Sequence, residues 1–250
     1  LVVSPSHSGR GLKFAIDAGH GPNTLGKRTP DGVMREFQFN RMVANYLEEY
    51  LMQYEGVQIK FTHADDGSRD VPLTQRTAAA NAWGADAFIS IHANAYGNGT
   101  WNDVKGIETY VYSSRPKGSV ELATAVHQSL IRRAKRPDRG VKAANFHVLR
   151  ETAMTAILVE CEFMTCRESA DLLQQDRYRR LCAQAIADGM AETYELQPRQ
   201  QQQQQDSEAS PSPLYRVQVG AFRYQANAER LVQQLHEQGY AAYMKEDSDE

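Results

Sequence analysis

Three short apolar runs in this chain each end on a residue that an apolar core would not choose. Phe14-Ala15-Ile16 breaks into Asp17-Ala18-Gly19-His20-Gly21, Phe88-Ile89-Ser90-Ile91 runs into His92, and Ile157-Leu158-Val159 runs into Glu160. Such runs, bounded by turn residues, predict buried strands, here over Lys13 to Asp17, Ala87 to Ile91 and Ala156 to Glu160. Between the first two, Phe39, Met42, Val43, Tyr46, Leu47, Tyr50 and Leu51 recur at steps of three and four. That spacing predicts a helix opening at Glu36 with one stripe on the core. Val57, Ile59 and Phe61 alternate as a strand, and a helix starts at Pro72 and stops at Gly84. Gly106 to Tyr112 reads as a strand, Leu122 to Ile131 as a helix, Asn145 to Leu149 as a short strand, and Tyr178 to Met190 as the face of a last long helix. Strands alternating with amphipathic helices predict an α/β layer fold.

The pattern changes at both ends. Residues 1–12 are small, polar and broken by Gly and Pro, which predicts a disordered lead-in. From Gln197, the run Gln200 to Gln205 and the Ser/Pro-rich stretch to Pro213 have too little apolar surface to order themselves, so residues 197–213 read as a linker. Beyond it Tyr215, Val217 and Val219 alternate, Leu231, Val232 and Leu235 share a helix face ended by Gly239, and Ala241 to Met244 resembles a second strand. Residues 214–250 fall short of the roughly 40 at which a domain stands without help, and so read as a partial module.

In an open α/β sheet, ligands collect beyond the carboxyl ends of parallel strands. Three such ends would bring His20, His92 and Glu160 to one crevice, with Glu36 in the first turn of its helix. Zinc in hydrolases is commonly held by three His or Glu ligands and keeps one position for water, and His20, Glu36 and His92 form such a set. A separate carboxylate must then move protons, and Glu160 suits that role, since a carboxylate directly after Ile-Leu-Val is costly to bury unless something uses it. Taken singly, each histidine is as well explained by packing and Glu36 by the helix dipole. Asp17 reads either as a partner of a ligand histidine or as a turn residue.

Composition excludes more than it assigns. An apolar share of 41% supplies a core, and a net charge of -3 without charged blocks gives no footprint for nucleic acid. Three cysteines, Cys161, Cys166 and Cys182, make no disulfide framework. Cys161, next to Glu160, should face the opposite side of its strand. No apolar run reaches the roughly 18 residues that would span a bilayer, and the first residues lack the features of a signal peptide.

The quoted residues also carry a resemblance. Ile16-Asp17-Ala18-Gly19-His20-Gly21, Glu36 with Phe39-Asn40, Leu73-x-x-Arg76-x-x-x-Ala80-Asn81, Ser90-Ile91-His92-Ala93-Asn94, Gly106-Ile107-Glu108 and Val159-Glu160 resemble the zinc N-acetylmuramoyl-L-alanine amidases, in order from Lys13 to Tyr194. Ala144 to Thr152 is similar to the Bacillus-type sporulation and prophage members. Tyr215 to Phe222 resembles the opening of a SPOR repeat, a module associated with peptidoglycan glycan strands. The fold class expected is therefore α/β, a mixed and mostly parallel sheet flanked by helices, phosphorylase/hydrolase-like, over residues 13–196, followed by a small α+β fragment.

The resemblance implies cleavage of the amide between the lactyl group of N-acetylmuramic acid and L-alanine, at the cell wall, with peptidoglycan as partner. It implies one zinc ion on His20, Glu36 and His92, and Glu160 as the catalytic carboxylate. Asn94 and Arg150 are candidate substrate contacts, Arg150 for a stem-peptide carboxylate. Two departures stand out: Glu162 where the family usually has Gly, and Cys166 where Asn is common. On a regular strand Glu162 would share a side with Glu160, and two near carboxylates raise each other's proton affinity, which makes Glu162 a candidate modulator. Competing readings are a zinc peptidase acting within the stem peptide and a catalytically weak wall-binding protein.

Overall fold

The computed structural model describes residues 11–199, 225–237 and 244. The chain divides into two compact units, residues 1–200 and 201–250.

In the first unit the strands are β1 (Leu12–Ala18), β2 (Val57–Phe61), β3 (Ala87–Asn94), β4 (Ile107–Tyr112), β5 (Asp138–Ala144) and β6 (Thr155–Phe163). They form one six-stranded sheet in the order β2-β1-β3-β6-β4-β5. The neighbours β2, β1, β3 and β6 pair in parallel, β4 runs antiparallel to β6, and β5 is parallel to β4. The sheet is mixed and mostly parallel, as expected.

Period-two alternation divides the strand residues between two apolar layers. Phe14, Ile16, Ile89, Ile91, Ile157 and Val159 pack beneath α1 (Glu36–Leu51), α3 (Lys117–Ala134) and α6 (Asp176–Tyr194). Ala15, Phe88, Ala156 and Leu158 face α2 (Leu73–Trp83) and the single turn α4 (His147–Arg150). Each large aliphatic side chain so buried contributes about 1.5–3 kcal/mol. The short helix α5 (Arg167–Leu173) links β6 to α6. Cys161 lies on the α6 side, where Tyr178 donates its hydroxyl to the Cys161 carbonyl at 2.7 Å, and all three cysteines are free and buried.

Several boundaries differ from the sequence expectation. Asn145 to Leu149 is not a strand: Phe146 precedes the turn α4, which buries Val148 and Leu149. The strand is β5 instead, an edge strand without apolar alternation and so without the signal that marks the others. Leu12 already belongs to β1. Residues 197–199 belong with the first unit, because Glu55 donates to the Gln197 carbonyl and Arg199 to the Gln53 carbonyl, at 2.9 and 2.7 Å.

In the second unit the described element is α7 (Gln225–Glu237), which includes the expected Leu231, Val232 and Leu235. The strands expected at Tyr215 to Val219 and at Ala241 to Met244, and most of the linker, lie outside the described residues.

Helices α3 and α6 approach backbone to backbone. A Cβ added at Gly189 would sit 2.5 Å from Val126 Cα and 2.8 Å from the Ala125 carbonyl carbon. Neither atom can move without its helix, and overpacking of this kind costs roughly 1–3 kcal/mol. Gly189→Ala should lower the unfolding free energy by about that amount in urea titration, with the midpoint shifted and the slope unchanged.

Candidate active site

The residues singled out from sequence meet at the carboxyl ends of β1, β3 and β6. His20 follows β1, His92 lies near the end of β3, and Glu36 opens α1. Glu36 Oε2 is 3.2 Å from His20 Nε2, and its Oε1 is 2.9 Å from His92 Nδ1. The two imidazoles stand edge to face with centroids 5.0 Å apart. One ligand atom from each of the three residues lies within 4.8 Å of the others.

Local sequence makes this approach possible. A Cβ at Gly19 would fall 2.1 Å from the His92 ring, so only glycine leaves room for that imidazole. His20 itself has φ of 65°, an uncommon conformation for a residue with a side chain, and its surroundings hold it there. Arg76 does much of this. Only 1% exposed, it donates to the carbonyls of Val71, Ala18 and His20 and pairs with Asp17 Oδ1 at 2.8 Å. Asn40, one turn after Glu36, donates to the Gly19 carbonyl at 3.0 Å and ties the same turn to α1.

Asp17 is therefore not the partner of a ligand histidine. It accepts from Arg76, from Thr62 at 2.8 Å and from Ser90 at 2.8 Å, and so anchors the guanidinium that orients His20 through its backbone. Nothing in the local sequence of Asp17 announces Arg76 as its partner, which comes from α2, 59 positions away.

The electrostatics set the carboxylates apart. Burial pushes Glu36 up, but the hydrogen bonds and charges of His20 and His92 outweigh it and hold Glu36 well below the ordinary carboxylate range. Burial pushes His92 down, and the Glu36 bond and charge more than reverse that, so its pKa is raised. Glu160 is the register partner of His92 across β3 and β6. It is 9% exposed, and its Oε2 is buried without a hydrogen-bond partner among the described residues. Burial, with Glu36 adding to it and His92 opposing it, pushes Glu160 up to about 8. A carboxylate sharing two imidazoles beside an unpartnered carboxylate is a donor set suited to a divalent cation, and zinc accepts this combination of nitrogen and oxygen ligands.

The other residues singled out from sequence have hydrogen-bond partners of their own. Glu162 is paired with a cation from outside its own strand. The β3/β6 register shifts just after His92, and Glu162 is fully buried in a cluster of its own. There it pairs with Arg136 at 2.6 Å and accepts from the Gly106 amide and the Ser169 hydroxyl at 2.8 and 2.9 Å. After burial, the charges that weigh most on Glu160 are those of His92, Glu36, Lys27 and Glu108. Arg150 lies on α4, where it donates to Glu151 and to the Asn145 side chain, each at 2.7 Å. Asn94 donates to Glu108 at 2.9 Å. Glu108, quoted only within a motif, is a buried neighbour of Glu160 to which sequence reading gave no role.

The chain also resembles known proteins along most of its length. The family profile described as N-acetylmuramoyl-L-alanine amidase matches residues 14–192, and the SPOR domain profile matches residues 211–249. The chain is 36% identical to N-acetylmuramoyl-L-alanine amidase CwlM of Bacillus licheniformis, over 92% of this chain and 83% of that protein. It is 35% identical to the sporulation-specific N-acetylmuramoyl-L-alanine amidase of Bacillus subtilis, over 92% and 82%. Among solved structures, an N-acetylmuramoyl-L-alanine amidase from Clostridium difficile superposes with a TM-score of 0.70 at 32% identity, covering 74% of this chain and 98% of that one. AmiC2 of Nostoc punctiforme gives 0.67 at 33%, covering 75% and 99%.

The Asp17–Arg76 pair makes a prediction of its own. Burial raises the Asp17 pKa, yet the Arg76 charge and the bonds from Arg76, Ser90 and Thr62 prevail and lower it. A depressed carboxylate contributes stability that is present above its unfolded pKa and lost as pH falls through its folded one. Asp17→Asn should therefore cost about 3–5 kcal/mol at pH 7, with the deficit against wild type narrowing towards pH 3, as read from denaturant unfolding across pH.

A shared buried carboxylate between two imidazoles, an unpartnered glutamate beside them and the profile match over residues 14–192 lead to one conclusion: the chain belongs to the N-acetylmuramoyl-L-alanine amidase family.

Proposed function

We propose that the cluster of His20, Glu36 and His92 holds one zinc ion and that Glu160 carries the protons for hydrolysis of the amide between the N-acetylmuramic acid lactyl group and L-alanine. The observation that carries this reading is the unpartnered, buried Glu160 carboxylate beside the His/Glu set. A zinc ion held there would supply Lewis acidity towards the scissile carbonyl and a water of lowered pKa.

The chain's own residues do the rest. Glu160 takes a proton from the attacking water and later delivers it to the departing amine of L-alanine, so one carboxylate serves as base and then as acid. Its Oε2, which has no hydrogen-bond partner among the described residues, leaves a place for the proton between the two transfers. Glu36 stays ionised, as its lowered pKa allows, and would complete the ligand set with the two imidazoles. Arg76 and Asn40 fix the turn that presents His20.

The site of action is the cell wall, and peptidoglycan is the substrate that the family and the SPOR match support. In this reading the first unit cuts stem peptides from glycan, and the SPOR segment holds the enzyme to glycan strands. Among the described residues no helix is long and apolar enough to cross a membrane.

Full-length protein loaded with zinc should release peptides with N-terminal alanine from purified sacculi, read by mass spectrometry. A chelator should abolish that release and added zinc restore it. Glu160→Gln should lower turnover by at least about 100-fold while keeping one zinc per chain. Peptides cut at any internal bond, or a Glu160→Gln enzyme that stays active, would overturn the assignment.

A further inference from the structure

Beside Glu160, on the side away from the histidines, the sheet carries a second charged cluster that the hydrolytic roles leave unused. Glu108 is the direct cross-strand partner of Glu160 in the antiparallel pair of β4 and β6. Partners in such a pair stand side by side on one face, about 5 Å apart. Their surroundings are opposite. Glu160 Oε2 has no partner, whereas Glu108 accepts from Asn94 at 2.9 Å, from Tyr110 at 2.6 Å, from Arg139 at 2.7 Å and from Lys142.

Counting Glu108 and its two cations alone, one positive charge is in surplus, and it remains so when Glu160 is protonated or replaced by Gln. Arg139 donates to Glu108 only through Nε, and its two terminal nitrogens make no hydrogen bond among the described residues. The Arg139 and Lys142 side chains are 34% and 38% exposed, while the Glu108 side chain they pair with is buried. The guanidinium also lies over the Phe163 ring, 5.0 Å from its centroid, which fixes its plane.

The backbone is built to aim this pair. Residues three apart on a regular strand point to opposite faces. Here the β4/β5 register advances from Ile107–Asp138 to Thr109–Val141, so β5 carries one extra residue, and Gly140 takes φ of 82° within it. That bulge turns Arg139 and Lys142 to the same carboxylate.

Strand order then says what would meet them. The sheet runs β1 and β3, which bring His20 and His92, then β6 with Glu160, then β4 and β5 with the cations. A scissile carbonyl at the histidine side, with its nitrogen over Glu160, sends the leaving peptide towards β4 and β5. Neighbouring strands are about 4.8 Å apart, and one extended residue spans about 3.3–3.6 Å. The nearest acidic group that fits is the carboxylate of the residue after L-alanine.

We propose that Arg139 and Lys142, aimed by Glu108, bind that carboxylate and make the enzyme select stem peptides whose second residue is acidic over those in which it is amidated. Glu108 is a positioning residue: it is already saturated by donors and meets the peptide only through the cations it holds. The proposal rests on the amidase reading for the direction in which the peptide leaves.

The test uses zinc-loaded, full-length Glu160→Gln protein, so that binding is read without turnover. Its ligands are N-acetylmuramoyl-L-alanyl-D-glutamate and the carboxamide counterpart N-acetylmuramoyl-L-alanyl-D-isoglutamine, titrated by calorimetry. The acidic ligand should bind at least about tenfold tighter, a preference that added salt should shrink. On this background Arg139→Gln should bring the ratio close to one, and Arg139→Lys, which keeps the charge, should retain most of it. Equal affinity in the parent protein, or a ratio untouched by Arg139→Gln, would overturn the proposal, and the parent ratio decides it even if that variant does not fold. Failure of wild-type enzyme to free N-terminal alanine would instead sink the amidase reading, so the two failures are told apart.

Discussion

Glu36 is a carboxylate taken out of water, and two imidazoles that approach from separate strands offset that cost. Much of the first unit can be understood from the requirement that they meet there. His92 can lean in only because residue 19 has no side chain, and His20 can turn in only because Arg76 and Asn40 hold the carbonyls around it. Arg76 in turn is buried against Asp17, the last residue but one of β1, whose charge is of opposite sign. The chain of dependence runs from one buried ion pair, through backbone carbonyls, to the placement of a ligand ring.

Next to this satisfied carboxylate the fold keeps one that is unsatisfied. Glu160 and Glu108 are cross-strand neighbours of the same residue type, yet one has four donors and the other has a bare oxygen. Stability alone would favour supplying a donor to Glu160. Leaving it bare keeps one oxygen open to a partner from outside, which is what the proposed proton transfers need. Function, in this account, is written in the contrast between two glutamates one strand apart.

How much of this is legible in the sequence depends on the range over which each signal acts. The buried strands and the α1 stripe follow from local periodicity, and the strand ends announce His20, His92 and Glu160. β5 escapes notice because an edge strand reading Asp-Arg-Gly-Val-Lys-Ala-Ala buries little and shows no alternation. Asn145 to Leu149 misleads because Phe146 and Val148 are good strand formers, whereas the chain uses them to enter a single helical turn. Glu162 misleads for a different reason. Strand alternation sets it beside Glu160, but a register shift and a partner 26 positions away, Arg136, set its real environment. Glu108, Arg139 and Lys142 gain meaning only once a bulge brings them together.

The central claim is that one cation is shared by residues 20, 36 and 92 while Glu160 stays unligated. Anomalous diffraction at the zinc edge from crystals of the metal-loaded protein tests it most directly. The account predicts a single strong peak within about 2.0–2.2 Å of one atom each of His20, Glu36 and His92, with both oxygens of Glu160 beyond bonding distance. A peak seated on Glu160 and Glu108, or one that leaves either histidine out of the coordination sphere, would contradict it.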